Sequence, residues 1–100
     1  MDIKTEKNGE ELTVIPSGEL NTVTSPELGE LLHNEIDGVK TLVIDFAECK
    51  YVSSSGLRVI LSAHKYLASK GGELKLRHIN ADFSDVLVNT GLYTVFNIEQ

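Results

Sequence analysis

The chain has 100 residues, 41% of them hydrophobic, enough for one packed core and too few for two, so a single domain over residues 1–100 is expected. Fifteen acidic against nine basic residues give a formal net charge of −6, a field that repels nucleic-acid phosphates and anionic lipid. The basic residues are scattered from Lys4 to Arg77, and Trp is absent, so neither a phosphate-tracking groove nor a base-stacking platform is expected. No apolar run reaches the length of a membrane span, and the start, MDIKTEKNGEEL, lacks the apolar stretch of a signal peptide. A cytoplasmic monomer is the expectation, and Cys49, the sole cysteine, excludes an internal disulfide.

In chain order, Asp2 to Lys7 and Glu11 to Ser17 read as two strands of an antiparallel hairpin around the turn signal Asn8-Gly9, with Pro16 at a strand end or edge. Ser25-Pro26-Glu27 is a helix start: a serine that can cap, a proline suited to the first helical position, and an acid at the positive end of the dipole. Leu28, Leu31, Leu32 and Ile36 continue it at helical spacing, and Asp37-Gly38 ends it. TLVIDF, Thr41 to Phe46, is apolar on both faces and predicts a central buried strand. A second helix is predicted from Ser54 to Lys70, with Leu57, Ile60, Leu61, His64, Leu67 and Ala68 on one face and Gly71-Gly72 as the stop. Glu73 to Ile79 reads as a strand. Asn80 caps a third helix in which Phe83, Val86 and Leu87 face inward and Gly91 terminates, and Thr94 to Ile98 is the last strand. The expected order is β-β-α-β-α-β-α-β, an α/β domain with a mixed sheet, since parallel neighbours need crossovers and the hairpin supplies the antiparallel part.

The stretch with chemical content is DFAECKYVSSSGLRVIL, Asp45 to Leu61. A buried strand ends in a short loop that delivers three serines and a glycine to the first turn of an amphipathic helix. The first amides of a helix have no partners within it and, with the dipole, favour negative charge. A phosphate on a serine there is stabilised. A cap accounts fully for one serine; three in a row exceed that need, and Ser53, Ser54 and Ser55 are all candidates.

The segment Tyr51-Val52-Ser53-Ser54-Ser55-Gly56-Leu57 resembles the signature of the STAS family, and of the bacterial anti-sigma factor antagonists in particular: an apolar residue, then Asp-Ser-Ser-Gly-Leu, then an apolar helix. Three further motifs fall in register with that family. Ser17-Gly18-Glu19-Leu20-Asn21 resembles its Gly-Glu-Leu-Asp, Gly71-Gly72-Glu73-Leu74 its Gly-Gly turn, and Asn89-Thr90-Gly91-Leu92 its Ser-Gly-Leu helix ending. The resemblance implies that Ser54 is the phosphoacceptor. It implies a partner, an anti-sigma factor that is also a serine kinase with a histidine-kinase-like ATPase fold. The unmodified antagonist binds this partner to release a sigma factor, and a metal-dependent phosphatase of the PP2C type resets the cycle. Glu19, Asn21, Thr22, Ser53, Ser54, Ser55, Gly56 and Arg58 are the expected partner-binding residues. The sequence departs from the pattern at Asn21 and Ser53, where the family carries aspartates. Many members also carry a further helix after the last strand, and this sequence ends at Glu99-Gln100. These departures leave open a constitutive, non-phosphorylated STAS adaptor in a stress-signalling or lipid-transport assembly.

No catalytic, metal or cofactor site is expected. His33, His64, His78 and Cys49 lie on different elements without ligand spacing. Ser55-Gly56 is not embedded in a Gly-x-Ser-x-Gly elbow, and no Gly-rich nucleotide loop exists. His64 is expected to be a packed, hydrogen-bonded core histidine, and Asp45 a paired or solvated carboxylate at a strand end.

Overall fold

A computed structural model describes residues 1–99; Gln100, the last residue of the expected domain, lies outside them. Strands β1 (Ile3–Asn8) and β2 (Glu11–Pro16) form the expected hairpin. Its two-residue connection is Gly9-Glu10, and Gly9 takes φ +63°, a conformation that glycine adopts at no steric cost. Burial along β2 alternates, with Leu12, Val14 and Pro16 turned inward. Strand β4 (Thr41–Asp45) pairs with β2 only over Glu11 to Val14, so the missing N–H of Pro16 removes no bond from that ladder.

With β6 (Glu73–Arg77) and β7 (Asn97–Glu99), these strands make a five-stranded sheet in the order β1-β2-β4-β6-β7, parallel except for the opening hairpin. Helices α1 (Ser25–Glu35), α2 (Ser54–Ser69) and α3 (Ala81–Asn89) connect the parallel neighbours. Each crossover advances the sheet in the same direction. Right-handed connections therefore put all three helices on one face. The core lies there: Leu12, Val14, Leu42, Ile44, Leu74 and Leu76 from the sheet meet Leu28, Leu32, Ile60, Leu67, Phe83 and Leu87 from the helices. The opposite face is carried by Thr13, Ile15, Val43, Lys75 and Arg77, with Glu99 bonded to Arg77 at 2.8 Å.

The expected α/β class and mixed sheet hold, but the expected element order omits two strands. β3 (Gly18–Leu20) and β5 (Cys49–Val52) form a separate two-stranded parallel sheet. Three and four residues are too few to display a period, and β5 breaks alternation by exposing Lys50 and Tyr51 in succession. Strand β6 ends at Arg77 rather than Ile79 because His78 takes φ +58°. The last strand covers 97–99 instead of 94–98. Leu92 and Tyr93 both donate to the Leu87 carbonyl and Phe96 to that of Leu92, so the chain after α3 keeps turning before it pairs. Val86 and Ala68, expected inward, are exposed. Ser25 is the first residue of α1 rather than its cap; it is 1% exposed and its hydroxyl has no hydrogen-bond partner among the described residues.

Candidate functional site

The small sheet places the site. β3 and β5 run parallel, with Glu19 opposite Tyr51 and Leu20 opposite Val52. The Gly18 N–H donates to the Glu48 carbonyl at 2.9 Å, and the Ser53 N–H to the Leu20 carbonyl at 2.7 Å. Parallel strands end on the same side. The connection from β3 into α1, residues 21–24, therefore emerges beside the Ser53-Ser54-Ser55 turn into α2. Gly56 permits this approach. A Cβ there would lie 3.1 Å from the Leu20 Cβ, 3.1 Å from the Val52 Cγ1 and 3.2 Å from the Leu20 carbonyl oxygen.

The three serines have different surroundings. Ser53 is the N-cap of α2, extended at φ −78° and ψ 173°, and its Oγ accepts the Gly56 N–H at 3.2 Å. Its Oγ also lies 2.8 Å from the Ser55 Oγ, in a hydrogen bond between the two hydroxyls. Ser53 and Ser55 are half-buried. Ser54 is exposed, and its hydroxyl makes no hydrogen bond within the protein among the described residues. It occupies the first turn of the helix, where backbone N–H groups lack intrahelical acceptors. Arg58, also exposed, follows four residues later and so shares a face of α2 with Ser54.

Asn21 is engaged by its own loop. Its Oδ1 accepts the N–H groups of Val23 at 2.9 Å and Thr24 at 3.0 Å, while its N–H donates to the Thr24 Oγ1 at 2.9 Å. The Thr24 hydroxyl donates to the Glu19 carbonyl at 2.6 Å. Asn21 thus ties the turn that leads into α1, whose N-cap position is taken by Thr24 without a side-chain cap bond. Glu19 and Thr22 are exposed. Two surface residues of this region escaped the sequence reading: Val23, between two threonines, and Tyr51, beside Glu19. The available signal was a β-branched apolar residue in a loop where turn residues are ordinary.

Elsewhere the polar groups have structural partners. Asp45 Oδ1 lies 2.8 Å from His78 Nδ1 and accepts the Ala47 N–H at 2.9 Å. Burial pushes its carboxyl up, but the hydrogen bonds from His78 and Ala47, with the His78 and Arg77 charges, outweigh that and hold it below its ordinary value. Burial raises the Cys49 thiol, whose Sγ donates to the Tyr51 carbonyl. His64 packs edge-on against Phe96 as expected of a core histidine, but its Nδ1 has no partner among the described residues. Among those residues no group of three or more His, Cys, Asp and Glu is placed to hold a metal ion. No helix among them is long and apolar enough to cross a membrane.

Residues 2–100 match the STAS domain family. The chain belongs to that family. It is 30% identical to the anti-sigma-B factor antagonist of Listeria monocytogenes, over 94% of this chain and 83% of that protein. It is 26% identical to the anti-sigma-B factor antagonist of Bacillus subtilis, over 98% of this chain and 90% of that one. In fold it is similar to the anti-sigma factor antagonist SpoIIAA in its unphosphorylated form, with a TM-score of 0.82 at 17% identity over 99% of this chain and 88% of that one. The phosphorylated form of the Bacillus cell fate determinant SpoIIAA gives a TM-score of 0.80 at 19% identity, over 99% and 92%. Anti-sigma factor antagonists of the STAS family are regulatory binding proteins, not enzymes.

Within this STAS domain, both departures from the family's acidic pattern have a local role. Asn21 closes the loop before α1 on the Val23 and Thr24 amides, and Ser53 caps α2, each through a side-chain oxygen.

Proposed function

We propose that this chain is an anti-sigma factor antagonist that binds its anti-sigma factor when unmodified, so releasing a sigma factor, and lets go when Ser54 is phosphorylated. The observation that carries this reading is the inequality of the three serines. Ser53 and Ser55 are tied to each other and Ser53 also to the Gly56 amide, whereas the Ser54 hydroxyl is exposed and free of protein partners among the described residues. A kinase needs such a hydroxyl.

Phosphorylation adds about −1.5 to −2 charges at neutral pH. At the N-terminus of α2 that charge meets unpaired amides and the positive end of the helix dipole, with Arg58 on the same face. The domain therefore keeps its fold, and binding is lost at the interface through bulk, desolvation of the phosphate and repulsion. The similarity of this chain to both forms of SpoIIAA, at TM-scores of 0.82 and 0.80, supports a switch without refolding. The partner surface is made by Glu19, Asn21, Thr22, Ser53, Ser54, Ser55, Gly56 and Arg58. The partner is itself the serine kinase, with a histidine-kinase-like ATPase fold; a PP2C-type phosphatase restores the hydroxyl, and the protein acts as a cytoplasmic monomer.

The test is to immobilise wild type and Ser54→Asp, pass lysate of the source cells over both, and identify retained proteins by mass spectrometry. Wild type is expected to hold an ATPase of the anti-sigma kinase type that Ser54→Asp does not. Equal retention of that partner by both would instead make the domain a constitutive adaptor, the reading that neutral Asn21 and Ser53 favour.

A further inference from the structure

We infer that Val23 is the apolar anchor through which this chain docks its anti-sigma factor; the inference rests on the function proposed above and adds the residue that carries the contact. Val23 is 79% exposed, the highest value among the large hydrophobic residues on the described surface. Turn chemistry gives no reason for it. Gly, Asn, Asp and Ser serve such a loop, and a β-branched apolar side chain supplies neither a positive φ nor a hydrogen bond.

The loop nevertheless holds Val23 in place. Its N–H is bound by the Asn21 Oδ1, the next N–H by the same oxygen, and the Thr24 hydroxyl fastens the far end to the Glu19 carbonyl. A partner that closes over this valine has little left to order, which is the condition under which a single side chain contributes strongly to affinity. The bond from the Ser53 N–H to the Leu20 carbonyl sets this loop beside the Ser54 turn. Glu19, exposed and free of ion pairs among the described residues, stands next to exposed Tyr51 in the β3–β5 register. The occupant is a protein surface with an apolar socket for Val23 and a basic rim for Glu19, approached by a chain of net charge −6. Phosphate on Ser54 then places a strongly hydrated group at the edge of a socket that must be dry.

The anti-sigma factor recovered on the immobilised chain is purified, and its affinity for wild type, Val23→Ser and Val88→Ser is measured by calorimetry. Val88, 59% exposed on α3, controls for a general loss of apolar surface. Val23→Ser is expected to weaken binding about tenfold or more, the loss typical of a truncated central anchor, and Val88→Ser less than about twofold. Both should melt like wild type. Binding of Val23→Ser within about twofold of wild type, or equal weakening by both substitutions, overturns the anchor and leaves the functional reading standing. A wild-type chain that retains no anti-sigma factor overturns both.

Discussion

Replacing Ser53, Ser54 and Ser55 by alanine one at a time separates the serine that holds the fold from the serine that is free to carry a signal. Ser53→Ala deletes the oxygen that accepts the Gly56 N–H at 3.2 Å and the partner of the Ser55 hydroxyl at 2.8 Å. Loss of an N-cap costs about 1 kcal/mol, within a range of about 0.5–2. For a chain of this size about 1 kcal/mol lowers Tm by roughly 4–8 °C. Ser55→Ala removes only the hydroxyl–hydroxyl bond, worth about 0.5–1.5 kcal/mol as an ordinary net hydrogen bond. Ser54→Ala removes a hydroxyl that bonds to nothing in the protein among the described residues, and as an exposed substitution it should stay within about 0.5 kcal/mol of wild type. Thermal and urea unfolding followed by circular dichroism give the three values. In parallel, purified anti-sigma kinase and ATP followed by mass spectrometry should modify Ser53→Ala and Ser55→Ala but not Ser54→Ala. A Ser54→Ala protein destabilised as much as Ser53→Ala would refute the reasoning, since the exposed hydroxyl would then be structural.

Ser25→Ala should raise stability by about 1 kcal/mol, read as a higher Tm, because it removes a fully buried hydroxyl without a partner among the described residues and places a better helix former in α1. Gly72→Ala should lower stability by about 1–2 kcal/mol in urea unfolding. Its Cβ would stand 2.6 Å from the Lys40 carbonyl oxygen, which accepts the Glu73 N–H where the β4–β6 ladder begins, and this overpacking outweighs the entropic gain of losing a glycine. The Asp45 carboxyl, raised by burial but lowered overall by the His78 and Ala47 hydrogen bonds, has a folded value below its unfolded one. Its stabilising contribution is thus full above the unfolded value and lost as pH falls through the folded one. Tm measured from neutral pH into acid should fall less steeply for Asp45→Asn than for wild type. The difference should be small because His78 is half open to solvent; identical slopes would contradict the pairing.

Long periodic segments were legible in the sequence. The run Thr41 to Phe46 reads as a central strand because both its faces are apolar, and β4 is flanked by β2 and β6. Helix α2 announces itself by Leu57, Ile60, Leu61, His64 and Leu67 at helical spacing, and Ile60 and Leu67 are fully buried. What escaped was short or decided by tertiary geometry. β3 and β5 have too few residues for a pattern, and each exists because the other lies beside it. Ser25 resembles a cap in isolation, but the helix already begins there, with Thr24 at the cap position and Asn21 tying the turn before it. His78 ends β6 early because the Asp45 carboxylate accompanies a left-handed backbone there, a partner 33 residues away in sequence. The distinction between Ser53, Ser54 and Ser55 is likewise absent from the letters SSS; only the turn geometry directs one hydroxyl outward.

The β3–β5 pair acts as a yoke between two loops that are 32 residues apart in the chain, measured from Asn21 to Ser53. With the Leu20 carbonyl held by the Ser53 amide, neither loop has slack to move without the other. A group added at Ser54 is consequently read out as a change of surface rather than of shape. In the proposed switch, nothing in the domain need unfold, isomerise or repack. Under the function proposed above, the response time is then set by the enzymes that would write and erase the mark and by dissociation of the partner, with no conformational delay contributed by the domain.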